Sequence, residues 1–273
     1  MASIIGTNKN NILQGTADND TILGLGGNDM LYGHAGNDKL YGGSGADKLY
    51  GDAGRDNLYG NSGADALYGG TGSDNLYGGT GANTLRGGGG ISPDNVNQDT
   101  YYLVKGHANP DTVVIPKGES VFQLSPLKIP INFDRIYGLD RFDKIDLDSK
   151  KIMPNASVNP ADANDTPHFD AFKIKNGVIT LQDSQHHNVN INTVALAGEA
   201  YKFIIKNCLP INLDKAVALQ VNVSYPPVAY NSYNLNHNPA HTVVLEAHSD
   251  ASAGITAVDI IGNVTATIAH QII

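Results

Sequence analysis

One stretch limits what this chain can fold into more than any other: Gly24 to Arg86 repeats every nine residues without slippage. The blocks read GLGGNDMLY, GHAGNDKLY, GGSGADKLY, GDAGRDNLY, GNSGADALY, GGTGSDNLY and GGTGANTLR. Each begins with glycine (Gly24, Gly33, Gly42, Gly51, Gly60, Gly69, Gly78), and the frame extends back to Gly15 and Gly6. Position four is glycine from Gly27 to Gly81 and position eight is leucine from Leu31 to Leu85. Position six is Asp29, Asp38, Asp47, Asp56, Asp65 and Asp74, then Asn83.

Glycine at positions one and four lets a turn take positive φ and lets neighbouring backbones approach closely. A short strand over positions seven to nine follows, and because side chains alternate faces there, only the leucine points inward. So small a unit cannot bury its apolar face alone. Blocks must therefore stack, two to a coil, with alternate strands adding to two opposed parallel sheets. One leucine per block makes a thin core, and burial at about 25 cal/mol per Å² does not offset the backbone entropy of ordering so many glycines. The aspartates supply what is missing. Stacking by alternate blocks puts them in two columns, Asp20, Asp38, Asp56, Asp74 and Asp29, Asp47, Asp65. Carboxylates one strand spacing apart, about 4.8 Å, repel unless a cation lies between them. Oxygen ligands with no Cys or His at a regular position select Ca²⁺ over zinc or copper, and over Mg²⁺ with its stricter octahedron. A flexible glycine-rich linker would need neither invariant phase nor a leucine in every block.

The blocks resemble the G-G-x-G-x-D-x-U-x nonapeptide of RTX proteins. The resemblance implies an all-β fold: a parallel β-roll over residues 1–90 with a degenerate first coil, a closing repeat and capping region over 91–155, and a non-repetitive, mainly β region over 156–273. It places about five to seven calcium ions between turns of the same column. Each is held by aspartates, drawn from Asp20, Asp29, Asp38, Asp47, Asp56, Asp65, Asp74 and Asp99, and by turn carbonyls, those of Gly27, Gly36, Gly43, Gly45, Gly54, Gly63, Gly70 and Gly72. Asp99-Thr100-Tyr101 is similar to the close of such arrays. With Ile91 to Gln98 read as a loop, Asp99 joins the Asp74 column and completes a further site. Asn11 and Asn83, taken as column ends, carry no charge, so sites there are expected to be weak or empty. INFDRIYGLDRFDKIDLDS, residues 131–149, is similar to the capping segment that follows RTX rolls, with Phe133, Ile145 and Leu147 inward and Asp143 and Asp146 in solvent. The resemblance also implies secretion, with an uncleaved type I signal near the C-terminus and the type I secretion machinery as a partner.

Composition agrees with a division near residue 90: all but seven of the 31 glycines precede it. The formal net charge of −9 suits bound cations and argues against nucleic acid or anionic membrane as partners. A single cysteine, Cys208, excludes an internal disulfide framework. MASIIGTNKNNILQ lacks a basic segment followed by an apolar stretch, so no cleavable signal is expected, and no apolar run is long enough to span a membrane. Beyond residue 100, TYYLV, DTVVI, ESVFQL, NTVALAG, AYKFIIK, AVALQVNVSY, HTVVLEA and AVDIIGNVTATIA read as strands. FKIKNGVITLQ reads as a hairpin about Asn176-Gly177, and prolines at 154, 160 and 167 mark a loop from about 153 to 168.

No H-E-x-x-H, G-x-S-x-G or phosphate-binding loop is present, and the chain is not expected to be an enzyme. His241, Glu246, His248 and Asp250 form the one dense polar cluster outside the repeats, read as a solvated edge strand, as His186-His187 is read as a polar turn. Cys208 reads as a small buried residue. Tyr32, Tyr41, Tyr50, Tyr59, Tyr68 and Tyr77 at position nine point outward in two ladders. These stiffen the sheets; in an alternative adhesin-like reading, they or the C-terminal β region bind a polysaccharide or cell surface.

Overall fold

The computed structural model describes residues 1–89, 98–104, 109–116, 134–139, 143–147, 156–158, 169, 171–175, 178–183, 185, 187–190, 199–200, 203–204, 215–221, 241–247 and 255–261. The repeat region contains β1 (Ser3–Ile5), β2 (Ile12–Gln14), β3 (Thr21–Gly26), β4 (Met30–Tyr32), β5 (Lys39–Ser44), β6 (Lys48–Ala53), β7 (Asn57–Ser62), β8 (Ala66–Thr71), β9 (Asn75–Tyr77) and β10 (Thr84–Arg86). It is followed by β11 (Thr100–Tyr102), β12 (Thr112–Ile115), β13 (Asp134–Tyr137), β14 (Lys144–Leu147), β15 (Ala156–Val158), β16 (Ala171–Lys175), β17 (Val178–Gln182), β18 (Lys215–Val221), β19 (His241–Ala247) and β20 (Ile255–Ile261).

Alternate strands build opposite walls of a parallel β-roll. One sheet runs β14-β12-β10-β8-β6-β4-β2, and the other runs β1-β3-β5-β7-β9-β11-β13 before continuing through β20-β19-β18-β17-β16-β15. The register advances by one coil of two blocks, so Leu40 pairs with Leu58 and Leu58 with Leu76, while Leu31, Leu49, Leu67 and Leu85 line up on the other wall. All seven leucines are fully buried. The inward-leucine alternation expected from the strand period is what the sheets use.

The stack does not stop where the glycines do. Leu76 pairs with Tyr101 and Tyr101 with Ile136, while Leu85 pairs with Val113 and Val113 with Ile145. The division expected near residue 90 is therefore compositional: one ladder continues through β13 and the other through β14. Ile145 and Leu147 are buried as expected, and Phe133 lies outside the described residues. β20 then adds to β13 in parallel, pairing Ile136 with Ile260, and Val244 of β19 joins the same core.

Four further readings change. HTVVLEA is not an edge strand, since β19 lies between β18 and β20. Residues 153–168 are not loop throughout, since β15 pairs antiparallel with β16. In AYKFIIK the described residues Ala200, Phe203 and Ile204 are helical and buried, not extended. Asp143 is not in solvent; it is 1% exposed and accepts the Asp111 amide. The hairpin forms as expected, Lys175 opposite Val178, and Phe172 packs with Phe203 apart from the roll core. ESVFQL, NTVALAG, the Asn176-Gly177 turn, His186, Cys208, His248 and Asp250 lie outside the described residues.

Candidate metal centre

Position six is fixed by the strand that follows it: with the leucine two residues later locked inward, the aspartate must also turn into the stack. Asp20, Asp29, Asp38, Asp47, Asp56, Asp65, Asp74 and Asp99 are all at most 2% exposed. Each column is a hydrogen-bonded chain. The Asp38 amide donates to Asp56 Oδ1 at 2.7 Å, Asp56 to Asp74 at 2.8 Å and Asp74 to Asp99 at 2.9 Å. Asp29 donates to Asp47 at 2.7 Å and Asp47 to Asp65 at 2.8 Å. Asp99 thus occupies the register expected of it.

The second carboxylate oxygen is another matter. In Asp29, Asp38, Asp47, Asp56, Asp65 and Asp74, Oδ2 is buried with no hydrogen-bond partner. An orphaned buried carboxylate oxygen is among the costlier arrangements a protein can contain. Here it recurs in register in six aspartates of the repeat region. Each such oxygen also has a second acceptor close by. A Cβ placed on Gly33 would lie 2.5 Å from Asp38 Oδ2 and 2.8 Å from the Gly51 carbonyl oxygen; one on Gly42 would lie 2.5 Å from Asp47 Oδ2 and 2.9 Å from the Gly60 carbonyl. One on Gly60 would lie 2.6 Å from Asp65 Oδ2 and 2.5 Å from the Gly78 carbonyl. Paired oxygen acceptors around a small space with no donor suit a hard cation. Among the described residues no three His, Cys, Asp or Glu side chains converge, so backbone carbonyls would have to complete each coordination shell.

Burial also raises the carboxyl pKa values. Desolvation carries Asp56 and Asp74 to about 7 and Asp65 to about 6 against the partial relief of the backbone N–H bonds, and it raises Asp38 and Asp47 as well. Each is a group that resists ionising until a positive charge arrives.

The glycines divide into two sets. Gly27, Gly36, Gly43, Gly45, Gly54, Gly63, Gly70 and Gly72 all have positive φ, between 101° and 140°. Their carbonyls stack coil upon coil, a Cβ on Gly45 running into the Gly27 oxygen and one on Gly54 into that of Gly36. The carbonyls beside the orphaned carboxylates belong instead to position one, Gly42, Gly51, Gly60, Gly69, Gly78 and Gly87. Sequence reasoning did not name these. The invariant leading glycine was the available signal: a side chain there would fill the space.

The column ends are closed by the protein itself. Asp20 Oδ2 accepts from the Thr16 amide and hydroxyl, both at 2.7 Å, and Oδ1 accepts from the Ala2 amide. These bonds, that from Ala2 foremost, hold its pKa below the usual carboxylate value. Asn11 Oδ1 accepts from Thr7 in the same way. At the other end the columns outrun the repeats. Asp99 donates to Asp134 Oδ1, Asn83 to Asp111 Oδ1 and Asp111 to Asp143 Oδ1, each at 2.9 Å, so Asn83 lies within its column and not at its end. The Tyr101 hydroxyl bonds Asp134 Oδ2 at 3.2 Å while accepting from the Gly87 amide at 2.9 Å.

With this geometry in place the comparisons are direct. Residues 5–40, 32–67, 41–76 and 68–90 match the RTX calcium-binding nonapeptide repeat. The repeat region is an RTX array. The match ends at residue 90, whereas the parallel strand pairing continues to β13 on one wall and β14 on the other. No curated protein sequence matches the chain. One similar solved structure is the solution structure of the AlgE6R3 subunit from the Azotobacter vinelandii mannuronan C5-epimerase. It shares 20% identity over 98% of this chain and 80% of that one, at a TM-score of 0.25.

The outward tyrosines of the RTX roll form two stacks. Tyr41, Tyr59, Tyr77, Tyr102 and Tyr137 have successive ring centroids 4.7, 4.5, 4.3 and 5.2 Å apart. Tyr32, Tyr50 and Tyr68 are spaced 4.9 Å apart, with His34 beyond Tyr32. Interior rings give both faces to neighbouring rings, which leaves edges and hydroxyls outward and no face on which a sugar could stack.

Proposed function

We propose that this chain is a folding module of an extracellular bacterial protein, kept unfolded at cytosolic calcium and assembled by the ion after export through type I secretion machinery. The recurrent buried Asp Oδ2 atoms without partners support this reading, because they penalise the folded roll wherever calcium is scarce. With a Kd of about 10⁻⁴ M and extracellular calcium near ~10⁻³ M, each ion stabilises the roll by about 1.4 kcal/mol. Six such sites give roughly 8 kcal/mol, the size of a whole domain's net stability, whereas at about 10⁻⁷ M calcium the contribution is almost nil. The ions are held by Asp29, Asp38, Asp47, Asp56, Asp65, Asp74 and Asp99 with carbonyls of the adjoining turns, and by Asp20 where its column begins.

Far-ultraviolet circular dichroism of the chain, titrated with calcium from a chelated start, tests the reading. The β signal is expected to rise cooperatively with calcium and not with magnesium. Identical spectra in chelator and in calcium would end it.

A further inference from the structure

The second column contains one interior residue, among those described, that breaks the chemistry without breaking the ladder. Asn83, 1% exposed, accepts the Asp65 amide through Oδ1 at 3.0 Å and donates its own amide to Asp111 Oδ1 at 2.9 Å, as an aspartate there would. Its other side-chain atom is a donor. Nδ2 lies 2.9 Å from where a Cβ on Gly78 would stand, the place held by an aspartate Oδ2 in the blocks opening at Gly33, Gly42 and Gly60. From there it reaches the carbonyls of Gly79 at 3.4 Å and Gly81 at 3.5 Å. Gly79 and Gly81 are positions two and four of their block, the counterparts of Gly43 and Gly45, or of Gly70 and Gly72. The amide therefore turns its N–H groups onto the carbonyl set whose counterparts in neighbouring blocks the calcium reading assigns to an ion.

We propose that Asn83 is a built-in stopper of the cation column, an internal donor standing where the ion would stand. Its Nδ2 group satisfies the turn carbonyls, removes one negative charge and points hydrogen atoms at the space a cation needs. Binding is thereby interrupted at this coil even though buried carboxylates resume at Asp111 and Asp143. The general physical point is that a neutral carboxamide can replace both a carboxylate and its counter-ion, keeping the ladder bond with one atom and supplying the positive end of a dipole with the other. The inference rests on the calcium reading of the columns, and its test separates the two.

Asn83→Asp in the full chain restores the acceptor and is expected to raise the number of calcium ions bound per chain by one in equilibrium dialysis. At the lowest calcium concentration that folds the wild type, the same variant is expected to melt below it, because it adds an uncompensated buried carboxylate; in saturating calcium the order reverses. Asn83→Ala, lacking donor and carboxylate alike, keeps the wild-type ion number. A folded Asn83→Asp chain with unchanged stoichiometry overturns the stopper and leaves the calcium reading intact, and so does one that fails to fold in saturating calcium. Wild-type protein that binds no calcium overturns the underlying reading, an outcome visible without any variant.

Discussion

At the scale of single residues, position two of the block is where the roll carries strain. Leu25, His34, Asp52 and Asn61 sit there with φ of 80°, 72°, 70° and 71°, a region that costs an L-residue about 1–2 kcal/mol. Gly43, Gly70 and Gly79 fill the same position without cost. Leu25 is also 43% exposed, so little packing is lost by removing it. Leu25→Gly is expected to stabilise the calcium-loaded roll by about 1 kcal/mol, measured as the shift in guanidinium midpoint. Gly54→Ala should do the opposite by at least ~2 kcal/mol, since its φ is 140° and its Cβ would collide with the Gly36 carbonyl. Equal midpoints for these two variants would refute the strain argument. The aspartates give a second prediction. Folding without metal raises Asp56 and Asp74 from 3.8 to about 7 and Asp65 to about 6. A carboxyl whose pKa rises on folding favours the folded state only while protonated. That favourable contribution is complete below 3.8 and is lost as pH climbs through about 7. In chelator, acidification from about pH 8 to about pH 5 is therefore expected to strengthen the β signal, and calcium affinity is expected to fall over the same range. A pH-independent spectrum in chelator would contradict it.

At the scale of elements, each strand from β4 to β9 contributes an inward leucine and an outward tyrosine, and the two ladders cooperate. Tyr59 lies between Tyr41 at 4.7 Å and Tyr77 at 4.5 Å, so Tyr59→Ala severs two stacked contacts. Its expected cost is about 2 kcal/mol in urea unfolding, with Tyr41→Ala costing less because that ring stacks on Tyr59 alone among the described rings. Matching costs would mean the rings act independently. The elements also mark what was legible beforehand. Strand, turn and column positions from Gly15 to Arg86 could be read because the nine-residue phase fixes them. Asp134-Arg135-Ile136-Tyr137-Gly138 repeats Asp47-Lys48-Leu49-Tyr50-Gly51 in pattern, and Asp111 and Asp143 likewise stand two residues before inward Val113 and Ile145. Those coils went unseen because the separation grows from 18 residues to 35 between Asp99 and Asp134 and to 32 between Asp111 and Asp143. Periodicity disappears from a sequence when insertions vary in length, although the strand-to-strand register that the insertions connect does not change.

At the scale of the whole molecule, the roll and the C-terminal strands share one sheet through the β13–β20 pairing. A chain ending at residue 90 would leave the β9 and β10 edges unpaired and open the core beside Leu76 and Leu85. Such a truncation is expected to need more calcium to fold and to self-associate more readily than the full chain, measured by calcium titration and light scattering. Indistinguishable behaviour would mean that the coils past residue 90 add nothing to the stack. Loss of phase, rather than loss of structure, is why this continuation escaped the glycine count. The tyrosine stacks carry one more implication. The chain has no tryptophan, and its tyrosine rings lie parallel at 4.3–5.2 Å, close enough for their electronic transitions to couple. Each coil that assembles lengthens one chromophore array, so near-ultraviolet dichroism should report the length of ordered roll without any label. The protein is thus an optical ruler of its own growth.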